Sequence, residues 1–323
     1  MGFIALIFTL LIEQGRPLVA GNPAHRAALA VADFVRANTD AGERQYGVLG
    51  WLLVVGAAVL GAALLEWLAS ALHPLGVFVV HVAVLYLTVG FRQFSHAFTE
   101  IQVALAADDP AGARGVLDRW LGRVDVDDSI ERAVRDASVQ GVCREAIAGA
   151  LVAAHRHVFG PLFWYILLPG VVGPVLYRVA ELLARRWAHP VVEGATQVEE
   201  PYGVFADRAF RVIDWLPARL SAAGFAVVGN FEDAVYCWRG AVASGTANDS
   251  RALLLASGGG ALGLRLAEPV LEARWAAGDQ GFEWPGAEPD AGALRSAVGL
   301  VWRSVVLWIS LFAMLTIAAW LGR

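Results

Sequence analysis

The sequence predicts an all-α, polytopic integral membrane protein with a cytoplasmic helical insert. Three observations carry this expectation. Of 323 residues, 57% are hydrophobic and 17% charged, where soluble domains hold about 25% charged residues; the mean hydropathy is +0.55. Two apolar runs, residues 47–72 and 75–91, are joined by the tight turn His73-Pro74 and have the length of a transmembrane hairpin. A third run, residues 294–321, carries Trp302, Trp308 and Trp320, and indole rings favour the membrane interface.

Composition also excludes chemistries. A net charge of −5 argues against nucleic acid as a partner. The chain has arginine but no lysine, so neither a Schiff-base lysine nor a P-loop is available. Cys143 and Cys237 stand apart, without metal spacing or a pairing pattern, so neither a disulfide framework nor a zinc site is supported.

In order along the chain, residues 1–46 are expected as interfacial and amphipathic helices. The run 1–12 (MGFIALIFTLLI) is shorter than the roughly 20 residues a straight span needs, and no small-residue cleavage site follows it. Glu13 and Arg16 share a helical face at i and i+3, while Arg26, Arg36 and Arg44 lie on the polar side of 22–46. Residues 47–91 are the hairpin, with Trp51 and Trp67 near the ends of its first run. Glu66 lies about a turn inside the far end, within reach of the headgroups, and His81 lies in the second run.

Residues 92–157 form the insert. Within 91–102 (FRQFSHAFTEIQ), Arg92, His96 and Glu100 recur at i, i+4 and i+8 on one stripe, beside Phe91, Phe94 and Phe98. Such a stripe serves either a charged ligand or a solvated ladder of ion pairs. Asp108-Asp109-Pro110 starts a helix with proline in its first turn. The acidic connector 124–128 lacks the glycine and distal glutamate of a calcium loop.

Residues 158–235 read as broken membrane helices, interrupted at Pro161, Pro169, Pro174 and Pro217; the number of crossings stays open. Asp214 and Arg219 face one another across the Pro217 kink, and Gly229-Asn230-Phe231-Glu232-Asp233 forms a polar corner. His155, Arg156 and His157 stand at the head of this region. Charge is costly at membrane depth, and irregular backbone there must be buried or line a cavity. The cluster is therefore either an anion site or a headgroup anchor. Residues 236–293 are expected as soluble helices and a mobile loop. Ser257-Gly258-Gly259-Gly260-Ala261-Leu262-Gly263 within them is a close-packed crossing or an anion-holding backbone. Residues 294–323 are the last membrane helix. Arginines 16, 26, 36, 44 and 92 flank the open side of the hairpin and none lies in its turn, so the insert (92–155) is placed in the cytoplasm.

Four strings recur in an order and spacing that resemble a known family. They are Ala106-Ala107-Asp108-Asp109-Pro110-Ala111-Gly112-Ala113-Arg114, Gly160-Pro161-Leu162-Phe163-Trp164, Gly173-Pro174-Val175-Leu176-Tyr177-Arg178, and Asp214-Trp215-Leu216-Pro217-Ala218-Arg219-Leu220. Together they resemble the CobD/CbiB family of membrane proteins in late cobalamin synthesis, and its divergent relative AmpE, over roughly residues 1–235 plus a last membrane helix.

The resemblance implies an adenosylcobinamide-phosphate synthase, in which ATP drives amide formation between adenosylcobyric acid and aminopropanol or its phosphate. On that reading Arg92, Arg156 and Arg178 clamp phosphate, and Glu13, Glu100, Asp214 or Asp233 hold Mg²⁺, with Glu100 and Asp214 as catalytic candidates. The chain departs from the synthases where they carry Glu-Asn-x-x-Asp-Gly before Pro-Leu-Phe-Trp; here Leu151 to His157 stand instead. Tyr177-Arg178 likewise leads to Ala180-Glu181-Leu182-Leu183 rather than Asn-Thr-Leu-Asp. In these places the chain is more similar to AmpE. That likeness implies a non-catalytic inner-membrane sensor, in which Arg92, His96, Glu100, His155, Arg156, His157, Arg178, Asp214, Arg219 and Asn230 bind an anionic small molecule or a lipid headgroup. A transporter is disfavoured because no repeated halves are evident.

Overall fold

A computed structural model describes residues 2–15, 22–90, 95–124, 138–188, 191–193, 196–198, 200–266 and 284–322. Arg16, Arg92, the connector residues 125–128 and most of the 268–292 loop lie outside the described residues, as does the His96 side chain. The helices are α1 (Gly2–Gly15), α2 (Pro23–Thr39), α3 (Arg44–Leu72), α4 (Pro74–Thr88), α5 (Ser95–Ala106), α6 (Pro110–Val124) and α7 (Val139–Ala154). A π-helical turn (His155–Phe159) leads into α8 (Gly160–Leu167), α9 (Val172–Trp187), α10 (Val204–Val228), α11 (Phe231–Ala243), α12 (Ser250–Leu262) and α13 (Ala291–Leu321). A short antiparallel ribbon, β1 (Val191–Glu193) with β2 (Thr196–Val198), lies between α9 and α10, within the region read as broken membrane helices. The fold is thus the all-α membrane architecture that the sequence predicts. Arg44–Leu72, Val139–Leu167 and Ala291–Leu321 are each long and apolar enough to cross a membrane.

The chain divides into two compact units, Met1–Gly90 with Gly160–Asp214, and Phe91–Phe159 with Trp215–Arg323. In the first, Asn22 caps α2 by accepting the His25 N–H at 2.9 Å, and Pro23 takes the first position, where no N–H is required. α1 packs along α4, with Phe8 edge-on to Phe78. It turns Ala5, Leu6, Thr9 and Glu13 inward and leaves Ile4, Phe8 and Leu11 outward. α9 packs on α3 because its apolar stripe is continuous: Tyr177, Ala180, Ala184 and Trp187 are buried at helical spacing. Burying each of the two aromatics contributes about 1.5–3 kcal/mol. Arg186 grips Asp33 of α2 through two hydrogen bonds, at 2.7 and 3.0 Å.

In the second unit α5 and α6 form a hairpin, with Phe98 edge-on to Trp120. Asp109 opens α6 by accepting the Gly112 N–H at 2.8 Å. Arg114 on α6 reaches both carboxylate oxygens of Glu145 on α7, at 2.9 and 3.0 Å. Phe159 stacks on Trp308 of α13 and meets Phe225 of α10 edge-on. α11 and α12 pack together closely. A Cβ on Gly260 would lie 2.7 Å from the Ala234 Cα, and one on Gly258 would lie 2.6 Å from Leu151 Cδ1. The glycine run is thus a helix crossing inside α12.

Proline placement corrects one expectation. The backbone is not broken at Pro161 or Pro217: α8 and α10 run through them. Ahead of Pro161 the helix widens into the π turn instead, which accommodates the missing N–H and the ring's conflict with the carbonyl four residues back. Pro174 lies in the first turn of α9, where an N–H has no intrahelical partner. The break itself is Leu168–Val171, which holds Pro169 and Gly170, the latter at φ 65°.

Candidate functional site

In the first unit, the α8–α9 hairpin gathers two of the strings. Gly160 faces the Tyr177 ring so closely that an added Cβ would sit 2.7 Å from Cε1 and closer still to Cζ and the hydroxyl oxygen. Gly173 likewise lies against the Trp164 backbone carbonyl. Each string thus supplies the glycine that admits the other's aromatic residue or backbone. Tyr177, fully buried, donates its hydroxyl hydrogen to Asp214 Oδ1 at 2.7 Å, and Asp214 is itself 3% exposed.

One turn along α9 lies Glu181, with no exposed surface. Arg178 bonds it from i−3, and Arg185 approaches from i+4 at 3.4 Å. A carboxylate so buried is stable only when paired, and removing one partner of such a group typically costs about 3–5 kcal/mol. Chemically, the face offers two guanidinium forks, a buried carboxylate and a phenol–carboxylate pair.

The second unit holds the π turn. His155 is fully buried, with Nδ1 2.9 Å from Ser221 Oγ on α10. His157 is 5% exposed and Arg156 half-buried. π-helical turns recur at functional sites because the widened helix re-aims its side chains. Ser257 on α12 donates to the Ala222 carbonyl at 2.6 Å, which ties the same stretch of α10 to α12.

A family model described as CobD/Cbib protein matches residues 5–320. The chain belongs to the CobD/Cbib family. It is similar to the "Cobalamin biosynthesis protein CobD" of Stutzerimonas stutzeri (strain A1501), with 29% identity over 320 residues, 95% of this chain and 95% of that one. It is also similar to the protein of the same name from Chromobacterium violaceum, with 32% identity over 248 residues, 75% of this chain and 72% of the relative. No solved structure matches.

The remaining candidates of this CobD/Cbib chain fall in different places. In the first unit Glu13 is buried on α1, 2% exposed. In the second, Glu100 is exposed on α5. Asn230 caps α11, accepting the Asp233 N–H at 3.3 Å and donating to the Asp233 carboxylate at 2.6 Å. Arg219 lies over the Trp215 ring, 3.8 Å from its centroid, and donates to the Trp215 carbonyl at 3.0 Å. Among the described residues no three of His, Cys, Asp and Glu gather as a metal site.

Two groups escaped the sequence reading. Glu181 was visible as an acid flanked by Arg178 and Arg185 at i−3 and i+4. Glu66 read as a carboxylate within reach of the headgroups; its partners lie in the unit, with Oε1 3.1 Å from His81 Nε2 and Oε2 accepting the Val171 N–H at 3.0 Å.

Proposed function

We propose that this protein acts in cobalamin biosynthesis, joining adenosylcobyric acid to aminopropanol or its phosphate in an ATP-driven amide synthesis at the bacterial inner membrane. The observation that carries the reading is a whole-length match to a protein named for cobalamin biosynthesis, covering 95% of both chains. Amide synthesis from a carboxylate requires that its oxygen be activated as a leaving group and that an ammonium lose a proton to become nucleophilic. On this reading Arg178 and Arg185 hold phosphate oxygens, since a guanidinium fork matches their geometry. Asp214, oriented by Tyr177, is the base candidate. The described residues do not by themselves form a magnesium site, so no step is routed through the metal. The 92–155 insert faces the cytoplasm, where the nucleotide is.

The test is deletion in a host that makes cobalamin from cobyric acid. Loss of cobinamide phosphate, restored by the wild-type gene and not by R178A or D214N, supports the synthase. Unchanged cobinamide phosphate refutes it. A second reading, a non-catalytic AmpE-like sensor of an anionic ligand, is favoured by His155, Arg156 and His157 standing where the resemblance leads one to expect acids. It requires that deletion leave cobinamide phosphate intact and that R156A abolish phosphate binding by the purified protein.

A further inference from the structure

Glu181 stands one turn beyond Tyr177 on the same face of α9, and Arg185 one turn beyond that. None of the Glu181 side chain is exposed. Its two oxygens are divided between two guanidiniums: Oε2 accepts from Arg178 Nη1, and Oε1 lies 3.4 Å from Arg185 Nη2. The arginines are about two helical turns apart, and both lean toward the acid between them. Their side chains are 19% and 11% exposed. Arg178 has no other partner among the described residues, so its donors on Nε and Nη2 meet no protein acceptor there.

Fold stability does not call for this arrangement. Taking a carboxylate wholly out of water costs more than a surface pair returns, and apolar residues packed in place of a buried ion pair are often as stable or more so. The triad provides charge and order instead. One carboxylate against two guanidiniums leaves an excess of one positive charge, and the neighbouring acid, Asp214, is already engaged by Tyr177. An arginine that is free to move loses that freedom when it binds an anion. Arginines tied to a fixed carboxylate have lost it beforehand, which for two such side chains is worth about tenfold or more in affinity.

We propose that Glu181 is a positioning residue for phosphate: without touching the ligand, it holds Arg178 and Arg185 as a preformed pair of forks for the phosphate oxygens of the nucleotide. The inference rests on the proposed reading of this face as the one that holds phosphate. Glu181 opposes the ligand in charge and favours it in geometry, so the two effects have opposite signs when the acid is replaced.

The test measures binding of ATP and of pyrophosphate by titration calorimetry on the full-length protein in detergent micelles, with the unfolding temperature followed in parallel. Wild type should bind and R178A should not. E181Q removes the charge, E181D keeps it but shortens the reach by one methylene, and both should weaken binding about tenfold. A Glu181 that acted only through its charge would make E181Q bind more tightly and leave E181D unchanged. One that served only the fold would lower the unfolding temperature and leave the affinity of the folded protein unchanged. Either result overturns the proposal. Should E181Q not fold, E181D, which retains the charge, decides alone. R178A binding like wild type, or wild type binding neither probe, removes phosphate from this face and the proposal with it. The synthase reading is judged separately, on cobinamide phosphate in the deletion strain, so the two failures are distinguishable.

Discussion

Replacing Gly160 by alanine tests whether the two family strings on α8 and α9 are one packing unit. The new methyl group would overlap the Tyr177 ring, which has no exposed surface and therefore nowhere free to go. Overfilling a packed site typically costs about 1–3 kcal/mol. Moving the ring also breaks its 2.7 Å hydrogen bond to Asp214; a bond to an ionised acceptor contributes about 1.5–3 kcal/mol. Taken together G160A should destabilise by about 2.5–6 kcal/mol, a fall in unfolding temperature on the order of 10 °C. The assay is thermal unfolding in detergent micelles, followed by tryptophan fluorescence. The decisive comparison is the same substitution in a Y177A background, where the space is already empty and G160A should cost less than about 0.5 kcal/mol. A wild-type unfolding temperature for G160A, or equal costs in both backgrounds, would refute the reasoning.

Three further predictions concern other parts of the chain. G260A sets a methyl against the α11 backbone, which cannot yield as a side chain can, and should cost about 1–3 kcal/mol in thermal unfolding; an unaffected midpoint would show that the crossing is looser than described. Burial pushes the Cys237 thiol up to about 12, so iodoacetamide at pH 8 should alkylate it only on unfolding, and rapid labelling of the folded protein would contradict its burial. The Arg186 guanidinium holds the Asp33 carboxyl below its ordinary value, so the folded state binds that proton less readily than the unfolded one. The pair's contribution, about 0.2–1 kcal/mol for an exposed bridge, is present above the usual aspartate range and lost as pH falls through the lowered value. D33N should remove that part of the acid-side slope, and a slope identical to wild type would show that Asp33 contributes none of it.

The hairpin, the last span and the helix start at Asp109 were legible in the sequence, because each depends on residues close together in the chain. The prolines misled for an instructive reason. Pro161 signals a break when taken alone, yet one π turn absorbs it, and the cost of that adjustment depends on the packing around His155 and Phe159. Glu66 shows another limit: the partners of a carboxylate near the end of an apolar run, here His81 and the Val171 N–H, lie too far away in the chain to be read from it.

What the sequence determined by itself was the class of molecule, its family and two of the three helices long and apolar enough to cross a membrane, Arg44–Leu72 and Ala291–Leu321, since apolar length, charge depletion and the order of short strings survive without coordinates. The third, Val139–Leu167, it divided between the insert and the region after it, and the run 75–91 folds as the shorter helix α4. The tertiary structure alone decided that Gly160 exists for Tyr177 and Gly173 for Trp164. It also decided that Asp214 answers a phenol and that Glu66 meets His81 and the Val171 N–H. The physical reason is reach. Helix propensity and hydropathy act over a few residues, whereas a close approach or a hydrogen bond between residues 37 or 84 positions apart exists only once the helices have packed.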